Sequence, residues 1–474
     1  MPYAGRTIST RERLLDLLQI LRETLRGSPQ DFTEGSLARA ILLLSVPMAV
    51  EMSMESVFSL VDVFFVARLG PEAVAAVGIT ESMLTLLFAV AVGLGMSIAV
   101  MVARRIGEKD PSGAAVAAVQ AIALGILVSL SIMIAGILLA PRLLRLMGAT
   151  PAIIQTGSGY TTVMLGGNLT IMLITLLNAI FRGAGDAAIA MRTLWLANLA
   201  NIILDPCLIF GLGPFPALGV TGAAVATNLG RGLGVSYQFV MLFRRQSRVR
   251  LTREAVRLDL GVMWRLVRVA LGGIFQFLIG TASWIGLVRI ISTFGSAALA
   301  GYTIATRITI ISLLPSWGLS NAAATLVGQN LGAGKPERAE RSVWLVSWCN
   351  MALLGGIGAL FIAFAHPLIR LFTHDSQAAP IGASCLRTLS YGSLLYAFGM
   401  VMLQAFNGAG DTYTPTVINL FGHWLVQIPL AYALARMAHL GPNGVFWSIC
   451  LSQSLIALVG LAAFKGGRWK RRKV

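Results

Sequence analysis

The chain predicts an all-α membrane protein of twelve transmembrane helices, arranged as two parallel-repeat lobes of six. Three observations lead there. Of 474 residues, 56% are hydrophobic and only 12% are charged, against about 25% charged in soluble domains. Mean hydropathy is +0.77, and apolar stretches long enough to cross a hydrocarbon core of ~30 Å follow one another along the chain. Third, the segment Phe181-Arg182-Gly183-Ala184-Gly185-Asp186 returns 225 residues later as Phe406-Asn407-Gly408-Ala409-Gly410-Asp411. The same offset pairs Gly70 with Gly295, Gly107 with Gly332, Pro111 with Pro336 and Arg145 with Arg370; after a shift of three, Gly219 and Gly222 fall on Gly441 and Gly444. A fixed register over most of the chain marks an internal duplication. Lipid leaves only helices or closed barrels, and unbroken apolar runs exclude the alternation of barrel strands.

The elements follow in order. Residues 1–35 read as a cytoplasmic amphipathic segment, with Leu14, Leu15, Leu18 and Leu25 set among Arg and Glu over 11–26, the pattern of an interfacial helix. The N-lobe, 36–243, holds spans at 41–66, 74–103, 114–140, 158–181, 188–211 and 219–243. Pro47 removes one helical hydrogen bond and favours a bend in the first. The Gly-Ala-Gly-Asp turn ends the fourth span, and Asp186, like Asp411 in the second copy, is placed to cap the helix that follows. A basic linker, 244–263, leads to the C-lobe, 264–464, with spans at 264–292, 297–327, 342–365, 382–406, 414–437 and 443–464. A basic tail, 465–474, closes the chain. Six spans per copy bring the second copy into the membrane in the same sense as the first, so the lobes are related by an axis along the membrane normal.

The net charge of +17 raises nucleic acid as a partner, but its distribution reads as topology. Lys and Arg gather in the N-terminal segment, the even-numbered loops and the tail. The other side carries Arg68, Arg142, Arg145, Arg370, Arg387 and Arg436, and three arginines lie inside spans: Arg231, Arg289 and Arg307. The positive-inside rule then puts both termini in the cytoplasm of a multi-pass bacterial inner-membrane protein. The partners expected are the lipid bilayer and a small molecule, with no nucleic acid, and the chain is expected to act as a monomer. Cys207, Cys349, Cys385 and Cys450 all fall in spans, at no metal or disulfide spacing. His366, His374, His423 and His439 are expected at helix ends or in packing.

Buried acids carry the functional signal. Glu51, Glu55 and Asp62 lie in the first span, Glu81 in the second and Asp205 in the fifth; the C-lobe spans have none. A charge at the bilayer centre costs at least about 2.5–3.5 kcal/mol, so such groups face cavities or partners. Spacings of four and seven put Glu51, Glu55 and Asp62 on one helical face. Asn201 and Asp205, four apart, share a face too. Counted from the outer helix ends, Asp62, Asp205 and Thr227 lie at one depth, roughly 9–12 Å below the surface. Oxygens of Asp62, Asn201, Asp205 and Thr227 are suited to Na⁺, and the same two carboxylates are suited to sharing a proton. Asn178 on the fourth span is a further candidate nearer the cytoplasm. Either a buried Arg or a cationic substrate would suit Glu51 and Glu55.

Together these residues resemble the multidrug and toxic compound extrusion (MATE) transporters, from about Thr33 to Phe464, and within them the DinF-like bacterial branch. The likeness rests on Leu43-Leu44-Ser45-Val46-Pro47-Met48, Val61-Asp62-Val63-Phe64-Phe65-Val66-Ala67-Arg68-Leu69-Gly70, the turn at 181–186, Asn201-Ile202-Ile203-Leu204-Asp205-Pro206, the stretch Gly219 to Thr227, and Gly328-Gln329-Asn330-Leu331-Gly332. The resemblance implies a two-lobed antiporter that exports organic cations and amphipathic drugs or metabolites by alternating access. It implies a cation site at Asp62, Asn201 and Asp205, joined by Thr227, and a first helix that bends at Pro47. It implies no enzyme activity and no cofactor beyond H⁺ or Na⁺ as coupling ion. Glu51, Glu55, Met54, Met172, Gln276 and Tyr302 are then expected around the substrate cavity. Where other members carry acids in the seventh and tenth spans, this chain has Gln276 and Tyr391, Tyr396 and Gln404, which leaves the C-lobe without an evident cation site. A flippase for a lipid-linked metabolite is the rival reading, kept open by the intramembrane arginines. No nucleotide-binding Gly-x-x-x-x-Gly-Lys-Ser/Thr pattern occurs.

Overall fold

A computed structural model describes residues 23–25, 27, 30–244, 247–249 and 256–472. Most of the amphipathic stretch 11–26 therefore lies outside the described residues. Among the described residues twelve long helices follow, eleven of them, with each bent pair taken as one and α6 apart, apolar enough to cross a membrane: α1 Leu37–Val66, α2 Pro71–Gly107, α3 Pro111–Leu146, α4 in two pieces (Pro151–Gly166 and Asn168–Ala184), α5 Ala187–Phe210, α6 Val220–Phe243, α7 Leu260–Ser292, α8 Ser296–Gly332, α9 Pro336–Arg370, α10 in two pieces (Ala378–Tyr391 and Ser393–Gly408), α11 Tyr413–Met437 and α12 Pro442–Lys465. Several helices outrun their apolar stretches. Pro71, Pro111 and Pro336 sit in the first turn of theirs, where a missing N–H costs nothing. Helix α6 is 24 residues long but is diluted by four glycines, Asn228 and Arg231.

The duplication is visible in the bends. Helix α4 turns by 41° at Gly167 and α10 by 54° at Gly392, positions 225 apart. Helix α1, by contrast, continues through Pro47 without a break. Helix α11 departs from its twin: residues Phe421–Gln427 and Ala433–Met437 are π-helical. Among the described residues of α5 no such turn occurs. A π turn inserts one residue, so the structural register slips from 225 to 226: Gly222 packs on Leu208, and Gly444 packs on Leu434 and Ala435.

The lobes meet where the repeats exchange partners: α1 packs on α8, and α2 on α7 and α8. Small residues make this possible, in twofold-related pairs. A Cβ on Gly93 would stand 2.7 Å from the Ala270 carbonyl, and one on Gly318 would stand 2.5 Å from the Ala49 nitrogen. At the face that bears the start of α1 and the end of α12 the crossing is tightest. A Cβ on Gly107 would lie 2.0 Å from the Gln329 carbonyl oxygen, and on Gly332, 2.2 Å from that of Arg104. Backbone cannot yield as a side chain can. Gly332→Ala should therefore cost about 1–3 kcal/mol, as overpacking does, and lower the melting temperature of the purified protein, while Gly78→Ala, which would meet nothing within 4 Å, should not. Equal melting of the two variants would show that the crossing is not rigid.

The same face is tied by the chain before α1. Lys335 Nζ donates to the Thr33 carbonyl at 3.0 Å, and Arg338 to those of Phe32, Glu34 and Gly35. From the linker, Arg248 stacks over the buried Phe32 ring and donates to the carbonyls of Gln30 and Ala184. Asp186 makes no capping bond to α5; it accepts from Ser247 and from the Arg248 backbone N–H at 3.2 Å. The expected cap is thus replaced by a tie to the linker. Its copy Asp411 does accept from Thr414 N–H, at 3.4 Å, and from the Thr414 hydroxyl. On the opposite face Asp375 accepts from the backbone N–H groups of Ala378 and Gln377, which hold its carboxyl below the usual range. Residues 30–35 thus bridge the linker and α9 on this face.

Candidate cation site and substrate cavity

Inside the N-lobe, α1, α5 and α6 bring four polar side chains together. Asn201 Nδ2 donates to Asp205 Oδ1 at 3.1 Å and to Thr227 Oγ1 at 3.3 Å. Asp62 stands within electrostatic range of Asp205. Asp205, Asn201, Thr227 and Asp62 are 0%, 1%, 4% and 7% exposed. Helix periodicity and equal depth are the cause: the i, i+4 pair of α5 faces the C-terminal part of α1 and the N-terminal part of α6. Tyr160, Glu81 and Arg231 surround the group, each within electrostatic range of Asp62.

Three oxygens in this cluster lack a hydrogen-bond donor among the described residues: Asp62 Oδ1, Asn201 Oδ1 and Asp205 Oδ2. Buried oxygens are seldom left so. Desolvation of two carboxylates costs several kcal/mol unless a positive charge or a proton joins them. The donor set, all oxygen and without His or Cys, fits a hard cation such as Na⁺; among the described residues no group of three or more His, Cys, Asp or Glu is assembled for a transition metal.

Other candidates lie elsewhere. Asn178 accepts from Gln238 Nε2 at 2.6 Å, and no hydrogen bond joins it to the Asp62–Asp205 group. Glu51, fully buried, is held by Arg182 Nη1 at 2.9 Å, the buried-arginine alternative of the two the stripe allows. Arg182 in turn offers its carbonyl to Thr325 of α8. Glu55 is exposed, within electrostatic range of Arg231. Met54 is half-buried, its carbonyl accepting from Asn198. Met172 is fully buried in the N-lobe core. Gln276 exchanges hydrogen bonds with Asn407 at 3.2 and 3.3 Å and donates to the Thr412 carbonyl. Tyr302 lies in the C-lobe, stacked on Phe446 at 6.2 Å, and lines a second cavity with His423. For His423 the expectation of a helix end or plain packing gives way to a cavity wall. Periodicity carried no signal for it, because it reaches that wall through a π turn.

Comparison with known proteins decides the family. The MatE family model matches twice, over residues 47–207 and 273–433, once in each lobe. The chain belongs to the MatE family. These are membrane transporters, not enzymes. The chain is 26% identical over 440 residues to a probable multidrug resistance protein NorM of Thermotoga maritima, covering 92% of this chain and 94% of the relative. It is 28% identical over 399 residues to an FAD transporter of Shewanella oneidensis, covering 83% and 87%. A solved structure of a multidrug resistance MATE family transporter in the outward-facing conformation superposes with a TM-score of 0.86 at 29% identity, over 93% of this chain and 98% of that one. The two-lobed, twelve-span MATE architecture expected from the duplication is therefore present.

Proposed function

We propose that this MATE protein exports amphipathic small molecules, organic cations among them, from a bacterial cytoplasm across the inner membrane, driven by H⁺ or Na⁺ entering at Asp62, Asn201, Asp205 and Thr227. The observation that carries the reading is the trio of buried oxygens on Asp62, Asn201 and Asp205 with no donor. With the termini cytoplasmic, the reading that the Lys and Arg distribution supports, the face crossed tightly at Gly107 and Gly332 is the inner one. Acid residues Glu55 and Glu81 are then exposed toward the outside, which is where a cation would enter. Binding of one positive charge relieves the repulsion between the carboxylates and favours the state that releases cargo. Opposite occupancy of one bistable scaffold by ion and cargo is the whole requirement for exchange. The names of the relatives, multidrug resistance proteins and an FAD transporter, support an amphipathic cargo, and one copy of the chain contains both lobes.

Everted vesicles provide the test, with a Na⁺ gradient and a pH gradient imposed separately and ethidium as cargo. One of the two gradients should drive uptake and the other should not. Uptake under neither, together with translocation of a labelled lipid, would replace this reading with that of a flippase.

A further inference from the structure

The C-lobe contains a half-open cavity of ≈ 240 Å³ lined by its own helices. Its walls coincide with the twofold counterpart of the N-lobe cation site. At an offset of 225, Asp62 corresponds to Leu287 and Glu81 to Thr306. At 226, the register after the π turn, Asn201 corresponds to Gln427 and Asp205 to the fully buried Ala431. At 222, Thr227 and Arg231 correspond to Ile449 and Gln453. Leu287, Thr306, Gln427, Ile449 and Gln453 all line the cavity. The space is present in both lobes but the charges are not: among the described residues no Asp, Glu, Lys or Arg lines it.

Aromatic and neutral polar groups stand in their place. Trp284, 49% exposed, faces the space together with Tyr302 and Tyr396. The π turn of α11 brings in His423, whose Nδ1 pairs with Gln427 Oε1 at 2.6 Å. π turns inside helices occur mostly at functional sites. Flat rings with a few converging hydrogen-bonding groups are the lining of a small-molecule site.

We infer that this cavity binds the uncharged, planar aromatic members of the transporter's amphipathic cargo range, organic cations being bound outside it. A cationic guest would be desolvated at membrane depth without a carboxylate, which should weaken it about 50-fold or more. Ion and cargo then occupy twofold-related sites in different lobes, and neither displaces the other by contact. The cargo role deepens the export reading; the binding itself does not depend on it.

9,10-Anthraquinone tests the site, being uncharged, planar and photoactivatable. The full-length protein in nanodiscs is illuminated with it, and labelled peptides are mapped by mass spectrometry. Labels should fall on α7, α8 and α11 around Trp284, Tyr302 and His423. A trimethylammonium derivative should label these positions about 50-fold less. Gly280 lines the cavity, and a Cβ there would meet nothing within 4 Å, so Gly280→Phe fills the space without a clash and should cut labelling at least about fivefold. Gln427→Leu gives a second variant with the same expected direction, and thermal unfolding verifies that both fold. Gly78→Ala, where a Cβ would meet nothing within 4 Å, should leave labelling unchanged. Labelling centred on the N-lobe, equal labelling by the cationic derivative, or labelling of lipid-facing residues that neither folded variant reduces would overturn the assignment. No gradient is applied, so this outcome is separate from success or failure in everted vesicles.

Discussion

Asp62→Asn and Asp205→Asn should each abolish gradient-driven export while the protein still inserts and folds. The reason is electrostatic. In the native site two carboxylates share one dehydrated space, and a single proton or Na⁺ is worth most when it neutralises one of them. Asparagine is nearly isosteric and permanently neutral, so either variant resembles the ion-loaded state and cannot cycle out of it. Flux under an imposed gradient should fall at least about 100-fold, near the upper end of measured coupling free energies. A second readout isolates ion binding from transport. If Na⁺ is the coupling ion, it should raise the native protein's melting temperature with a logarithmic concentration dependence, and each variant should lose that response. If H⁺ is, the native protein should show the same loss between low and high pH, and the variants should be flat. Asn201→Ala should retain flux but bind the ion more weakly, since it removes one neutral oxygen and frees the Thr227 hydroxyl. Wild-type flux in both Asp variants would remove this cluster from the mechanism.

How far the sequence reaches depends on the range of the interaction concerned. Spans and duplication were readable because a bilayer demands long apolar runs and because close helix contacts admit only glycine at set positions. Gly107 and Gly332 show this: each sits over a backbone carbonyl of the other repeat, so the register of glycines is a record of the twofold axis. Asp62, Asn201, Asp205 and Thr227 were readable for a different reason, since helix periodicity and rise alone bring them to one depth. What escaped was every pairing between elements distant in sequence. Glu51 and Arg182 lie 131 residues apart, and nothing in either helix says that the acid faces the arginine and not the cavity. Asp186 has the spacing of a helix cap, yet Ser247 and Arg248 of the linker claim it. The second cavity was hidden more deeply. A π turn looks like α-helix in sequence, and its extra residue moves the twofold partner of Asn201 to Gln427, one place off the register that the rest of the repeat follows.

The Glu51–Arg182 pair makes its own prediction, and the second lobe supplies the control. Arg182→Ala leaves a fully buried carboxylate facing no positive charge, so it should destabilise the protein by about 3–5 kcal/mol, read as a lower melting temperature in detergent and poor recovery from membranes. Glu51→Gln alone strands the guanidinium, which is 17% exposed and able to reach water, and should cost less. At an offset of 225 the pair corresponds to Gln276 and Asn407, which hydrogen-bond to each other in both directions. The same backbone geometry therefore accepts a neutral amide pair. The double variant Glu51→Gln, Arg182→Asn should then recover most of the stability lost in Arg182→Ala, because both partners change to a combination this fold already contains. A double-mutant cycle extracts the coupling between the two positions, expected within about 0.5–3 kcal/mol for groups in direct contact. If the double variant melts no higher than Arg182→Ala, the ion pair is not an independent unit and the Arg182 side chain acts through packing that asparagine does not restore. If it melts like the native protein but exports more slowly, the charge at Glu51 serves transport and not folding, and the acid stripe of α1 extends functionally past Asp62.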